Sequence, residues 1–451
     1  MKGNIMNTPT QPRITQATTR RDFLKTSTVA GGGVLLASLD IARFAHAAGN
    51  DVIKIALVGC GGRGTNAASM ALQNAAHANV KLVAMADMFA DHIEAKLDIL
   101  NKRCAAQIDV PPERRFVGFD ACQKAIDCGV DMVLLCTPPG FRPMQFEAAV
   151  KAGKHVFMEK PVAVDAPGYR RVKAVNEEAK KKNLMVAVGH HLRHGATHRE
   201  VVKQIHDGLI GDLTYTRAYF NTSGIWNRER KPGMTEMEYQ VLNWYHFVGL
   251  SGDHLVEQHV HGVDVCNWLA KDHPPVEAVG MGGRQVRFSK GIGELFDHFA
   301  LQFTYAKGLR SFSECRHMPA CWANCAHHAH GTKGFVNFDF ADNATICLEG
   351  QEEKRVKHTG AEAHQAEMDD LFAALLAGKP YNEADVSADS TMTAILGRMA
   401  AYSGKLVKWD EAIASQLDLM PDRFALDAEP KSKPGPDGIY PCATPGVTKA
   451  L

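Results

Sequence analysis

The sequence predicts a doubly wound parallel α/β domain at the N-terminal end, followed by an α+β domain built on an open, mainly antiparallel sheet. Three observations predict it. Between residues 51 and 189, short apolar runs alternate with helical periodicity, the pattern of successive βαβ units. A glycine-rich turn stands where the first run meets the first helical stretch. After His190 the apolar runs follow one another with few helices between, which suits antiparallel pairing.

Residues 52–58 form an apolar, β-branched run bounded by glycine, a buried strand, and 65–73 a helix. A second strand over 80–86 ends at Asp87, and 89–103 is helical. The run 130–136 is stopped by Pro138 and Pro139, and the helix 144–152 is closed by Gly153 in the C′ position. A strand at 155–158, a helix at 169–182 and a strand at 184–188 complete the first domain. The second domain, 190–426, carries strands at 213–220, 276–286, 299–305, 308–315 and 335–340, with helices at 258–269, 365–376 and 387–403. The tail 427–451 is rich in proline, glycine and lysine and is expected to be an extended or disordered arm.

Composition narrows the function classes. The 451-residue chain is 45% hydrophobic and 22% charged, enough to bury a large core. A formal net charge of +1 offers no field to attract nucleic acid or an anionic membrane. The 11 cysteines are irregularly spaced and odd in number, so they are expected to be mostly small buried side chains. Residues 1–47 are expected to be a leader. Arg20 and Arg21 form a twin-arginine pattern, the stretch 26–41 is weakly apolar, and Ala45-His46-Ala47 places small residues for cleavage before Ala48. Export by the twin-arginine machinery, to the periplasm or beyond, is the expected localisation.

The turn Gly59-Cys60-Gly61-Gly62-Arg63-Gly64 follows a strand and opens a helix, the context that makes a glycine fingerprint specific. Gly59 permits the turn, Gly61 lets a pyrophosphate approach the backbone beside Gly62 and Arg63, and Gly64 lets helix and strand pack closely. The helix N-terminus offers free N–H groups to the phosphates. Asp87, ending the second strand, suits the ribose hydroxyls and repels a 2′-phosphate; with Met88 and Phe89 following, NAD is favoured over NADP.

Further along, Cys136-Thr137-Pro138-Pro139 and Ala152-Gly153-Lys154-His155-Val156-Phe157-Met158-Glu159-Lys160-Pro161 resemble the signature of the Gfo/Idh/MocA oxidoreductases. The resemblance covers nearly the whole mature chain. It implies a Rossmann domain with Thr137, Pro138, Glu159 and Lys160 at the cofactor, and a sheet domain whose outer face makes dimers or tetramers. It also implies that Lys160 lies beside the nicotinamide, where it polarises or deprotonates the reacting hydroxyl. Arg142 stands where relatives commonly carry a histidine. The family's Asp-x-x-x-His-x-x-Asp helix is matched by Glu257, His261 and Asp264, with Glu257 in place of aspartate. Glu257 and His261, four residues apart, are expected on one helix face, with His259 off it. A histidine near neutral pKa suits proton removal.

The segment before that helix, with Trp226, Tyr245 and His246, is rich in aromatic and polar residues and suits a sugar. With Arg193 and Asp264, these are the candidate substrate contacts. The chain also has some similarity to NAD-dependent α-N-acetylgalactosaminidases. The cluster Cys315, His317, Cys321, Cys325, His327, His328 and His330 lacks a C-x-x-C pair and lies on a strand, loop and strand, so no metal is expected. An exported enzyme has no expected NAD pool outside the cytoplasm, so tightly bound, internally recycled NAD is expected. The leading expectation is oxidation of a sugar or polyol hydroxyl. The alternatives are a glycosidase working by oxidation, elimination, hydration and reduction, or a non-catalytic sugar-binding scaffold.

Overall fold

The computed structural model describes residues 52–450; the expected leader, 1–47, lies outside the described residues. The first domain runs β1 (Ile53–Val58), α1 (Gly62–Leu72), β2 (Val80–Asp87), α2 (Ala90–Cys104), β3 (Arg115–Val117), α3 (Ala121–Ile126), β4 (Met132–Leu135), α4 (Arg142–Lys151), β5 (His155–Met158), α5 (Ala166–Lys181) and β6 (Val186–Val188). The six strands are parallel in the order β3-β2-β1-β4-β5-β6. Helices cover both faces, so β4 and β5 are buried at every position, which is why they read as unbroken apolar runs. The order reverses between β1 and β4, opening a crevice at their C-terminal ends. Helix α5 begins before the predicted 169 because Asp165 caps it through Gly168 N at 2.7 Å.

The second domain adds α6 (Ala196–His206), β7 (Leu213–Thr222), α7 (Glu236–Leu242), α8 (Val248–Ser251), α9 (His254–Glu257), α10 (Val260–Leu269), β8 (Glu277–Gly283), β9 (His298–Thr304), β10 (Arg310–His317), β11 (Asn324–Gly331), β12 (Gly334–Asp339), β13 (Ala344–Leu348) and β14 (Lys354–Val356). The chain then continues through α11 (Ala363–Leu376), α12 (Ala384–Ser403), β15 (Val407–Lys408) and α13 (Trp409–Ala414). The sheet order is β14-β13-β12-β11-β7-β10-β9-β8-β15, antiparallel except for the parallel pair β7 and β10. Its inner face buries Ala278, Phe299, Leu301 and Phe303. Helix α12, apolar or small on nearly every side, lies between that face and α5.

One segment returns to the first domain, and another folds back on the second. Helix α11 packs on α1 and adds Met368, Leu371, Phe372 and Leu375 to the core around Leu57 and Leu72. The tail contains no helix or strand, but it is docked rather than disordered. Tyr440 is 1% exposed, its ring centroid lies 5.1 Å from that of Phe247, and its carbonyl accepts from Arg284 at 2.6 Å. One buried aromatic anchors a segment whose composition otherwise reads as polar linker.

His194 clasps the turn after β6 to these returning helices. Its Nδ1 lies 2.8 Å from Asp370 and its Nε2 3.1 Å from Glu383. Burial opposes its charge, but the two carboxylates prevail and push its pKa from 6.5 up to about 9. A folded-state value above the unfolded one adds stability that is complete below pH 6.5 and lost as pH rises through 9. Thermal melts of His194→Gln should therefore fall below those of the native chain by on the order of 3 kcal/mol at pH 6, with the gap closing toward pH 10. A gap independent of pH would contradict the clasp.

Candidate active site

A cleft of about 500 Å³ opens at the sheet's switch point, lined by the glycine turn, Asp87, Thr137 and Pro138. Gly59 has φ +97°, and a Cβ there would lie 2.5 Å from the Cys136 carbonyl carbon. A Cβ on Gly64 would lie 2.0 Å from Gly59 O, so α1 packs against the turn only because residue 64 is glycine. At Gly61 and Gly62 an added Cβ meets no described atom within 4 Å. Their smallness leaves room for a ligand at the N-terminus of α1, where free N–H groups suit phosphate. Asp87 is held by Cys60 N at 2.7 Å, Phe89 N at 3.0 Å and His92 Nδ1 at 3.1 Å. These features fit a dinucleotide.

Arg63 lines the cleft, but its guanidinium is committed to carboxylates, with Nε 2.5 Å from Glu159 and Nη2 3.3 Å from Glu367. Glu159, grouped with the cofactor contacts by sequence, sits behind the cleft at 6% exposure, and a Cβ on Gly189 would collide with it. Burial pushes the Glu367 carboxyl well up, and Glu159 adds to that. Arg142 is 1% exposed and donates to Thr137 O and Pro161 O, both at 2.5 Å. Burial lowers its pKa to about 10, so it remains a cation at neutral pH. It ties the cofactor loop to the turn that carries Lys160.

Lys160 follows β5 at the same edge of the sheet. Its ammonium donates to Glu257 O at 2.6 Å and Glu257 Oε1 at 3.1 Å. The expected single helix is broken. α9 ends at Glu257 and α10 starts at Val260, so Glu257 and His261 do not share a regular i, i+4 face. The break leaves the Glu257 carbonyl free of the helix, and the lysine takes it. Asp253, overlooked in the sequence, caps the start of α9. It has φ +74° and accepts from His254 N and Tyr402 OH at 2.5 Å and from Phe296 N at 3.1 Å.

His261 faces two histidines that sequence reasoning missed, with ring centroids 4.7 Å from His191 and 6.0 Å from His190. Burial, then Lys160 and the neighbouring imidazoles, drive its pKa well below 6.5, further from neutrality than expected. It is a neutral ring and a weaker base than an ordinary histidine.

The other substrate candidates divide. Trp226 is 42% exposed and lines the cleft with Trp244, and Arg228 lies 4.7 Å over its ring. Tyr245 is buried beside Glu257; burial and that carboxylate push its hydroxyl well up. His246 is sealed, bonded to Trp226 O at 2.8 Å and Arg287 at 2.5 Å, and burial and that arginine push it down to about 4. Arg193 forks onto Asp264 at 2.8–3.0 Å and reaches Asp272 at 2.7 Å. Asp264 is 1% exposed and also accepts from Ser390 at 2.7 Å. These last three residues brace the site instead of presenting free polar groups to a substrate. The histidines of 317–330 split between the sheet's faces, with His317 and His327 buried and His328 and His330 on the outer side.

Gly61→Ala should leave the melting temperature within a few degrees, because its Cβ meets no described atom, yet weaken NAD binding at least tenfold. Gly64→Ala should lose both, destabilised by about 1–3 kcal/mol. Native-like NAD binding by Gly61→Ala, read by calorimetry, would contradict the cleft assignment.

Residues 53–190 match the family model described as oxidoreductase family, NAD-binding Rossmann fold (GFO_IDH_MocA). The chain is 26% identical over 268 residues to a 2,7-anhydro-N-acetylneuraminate hydratase of Mediterraneibacter gnavus, covering 56% of this chain and 64% of that one. It is 23% identical over 206 residues to glycosyl hydrolase family 109 protein 1 of Akkermansia muciniphila, covering 45% and 40%. The matched span is thus under two thirds of each relative's length. The fold is shared with an aldose-aldose oxidoreductase of Caulobacter crescentus, at TM-score 0.63 and 20% identity, covering 79% of this chain and 100% of that one. Over residues 53–190 the chain is thus similar to the NAD-binding Rossmann domain of the Gfo/Idh/MocA oxidoreductases.

Proposed function

We propose that the protein is an exported oxidoreductase that oxidises a sugar or polyol hydroxyl and keeps its NAD bound through turnover. The observation that carries this reading is the meeting of Lys160, Glu257 and a neutral His261 at the sheet edge that also carries the cofactor loop. Bound NAD supplies the hydride acceptor. Glu257 aims the Lys160 ammonium, which polarises the substrate oxygen. His261 takes the hydroxyl proton on its imidazole. Trp226 and Trp244 offer ring surfaces to a sugar and limit water. Retention of the cofactor rests on the expected twin-arginine leader, because a dissociable nucleotide would be lost after export. The outer face of the second sheet exposes Met281, Phe312 and Trp322, which supports a homo-oligomer, a dimer or tetramer, formed through that face.

A second reading is favoured by the similarity to the family 109 hydrolase. The same residues would then oxidise a sugar hydroxyl transiently, so that the glycosidic group leaves by elimination. Release of a chromogenic aglycone without any added acceptor separates the two, since an oxidoreductase alone releases none.

Lys160→Ala and His261→Ala should each lower turnover at least a hundredfold while bound nucleotide, measured by mass spectrometry after denaturation, stays stoichiometric. Unchanged turnover in either variant removes that residue from the mechanism. Because the proton acceptor must be neutral and His261 is pushed well below 6.5, kcat/KM for alcohol oxidation should stay flat down through pH 6.5 and fall only at more acid pH. An acid limb centred at or above 6.5 would contradict His261 as the base.

A further inference from the structure

The segment that follows α13 leaves the second domain and crosses to the first. Leu419 N donates to Asp165 Oδ2 at 3.0 Å, and Leu426 O accepts from Thr235 at 2.5 Å. Between these anchors Met420 lies where Gly140 has no side chain; a Cβ on Gly140 would stand 2.5 Å from its sulfur. The strap is therefore seated on a site shaped for it, although it contains no helix or strand.

From this strap Phe424, half-buried, turns into the dinucleotide cleft and forms part of its lining. Its ring centroid is 5.8 Å from Phe141 and 6.1 Å from Phe119, and those two are 6.0 Å apart. The place of this triangle along the cleft follows from the backbone. Gly118 N donates to Asp87 O at 3.1 Å, so Phe119 stands just beyond the carboxylate that suits the ribose, on the side away from the pyrophosphate turn. In a dinucleotide running from the glycine turn past Asp87, the next group is the adenine. A flat aromatic base between tilted aromatic rings gains dispersion and edge-to-face contact without needing a hydrogen-bond code.

We propose that Phe424 is a cofactor-binding residue which, with Phe119 and Phe141, walls the adenine subsite, making residues 417–428 a clasp over the adenosine end of NAD. The inference rests on the dinucleotide reading of the cleft. It adds a residue from outside the Rossmann domain and a physical route to slow cofactor loss.

The test uses the full chain, stripped of bound nucleotide by reversible unfolding in urea and refolding, titrated with ADP-ribose and separately with nicotinamide mononucleotide, which lacks the adenine. Phe424→Ala should bind ADP-ribose about tenfold more weakly and the mononucleotide as the native chain does, while Phe424→Tyr restores ADP-ribose binding. Should the alanine variant fail to fold, Phe424→Leu keeps an apolar filler without a ring and carries the same expectation. Equal ADP-ribose affinity in the native and ring-less variants overturns the clasp, as does a loss shared equally by both ligands, which marks a packing role only. A native chain that binds neither ligand sinks the dinucleotide reading itself, so the two failures are told apart.

Discussion

An ammonium whose side chain is only 12% exposed must be met by negative charge, and the pairing of Lys160 with Glu257 is where this structure meets that demand. Lys160 comes from the end of β5 in the first domain and Glu257 from the end of α9 in the second. The pair therefore fixes the reacting group and the distance between the two domains in one interaction. Each partner is held from behind. Arg142 joins the lysine's turn to the cofactor loop, and Asp253, in a backbone conformation unusual for a non-glycine residue, caps the start of the four-residue helix whose last residue is Glu257.

The charge of Lys160 also sets the state of its surroundings. His190, His191 and His261 are all pushed toward the neutral ring, by burial first and then by the cations around them. Beneath them Arg193 holds the Asp264 carboxyl below the ordinary carboxylate value despite its burial. Lys160, paired with Glu257, thus lies among neutral imidazoles. Buried ionic braces such as Arg193 with Asp264 add little net stability compared with apolar packing, but they hold geometry firmly.

Much of this was legible in the sequence, for identifiable reasons. The parallel strands are buried on both faces and the glycine turn has steric requirements that only glycine meets, so both leave strong local signals. Lys160 and His261 were reachable through their motifs. What the sequence hid depends on contacts between residues far apart in the chain. Strand β3 is three residues long and carries no period. The short helix α9 is capped at its start by Asp253, which Tyr402 and Phe296 hold from distant parts of the chain. Arg193, His246 and Asp264 have the polar character of ligand contacts, but partners distant in sequence use up that capacity. Phe424 and Tyr440 lie in stretches whose composition reads as linker, and each gains its role from one aromatic side chain.

If the Rossmann cleft holds NAD, the proposed reaction would take hydride from a carbinol carbon that Lys160 and His261 orient. The most direct measurement is isotopic. The NAD-loaded protein is incubated with sugars and polyols deuterated at their carbinol carbons, and the nucleotide is then released and its nicotinamide mass read. Transfer of deuterium to the nicotinamide by at least one substrate, lost in the Lys160→Ala and His261→Ala variants, is the result this account predicts. A nicotinamide that stays unlabelled across the panel while NAD remains bound would contradict it.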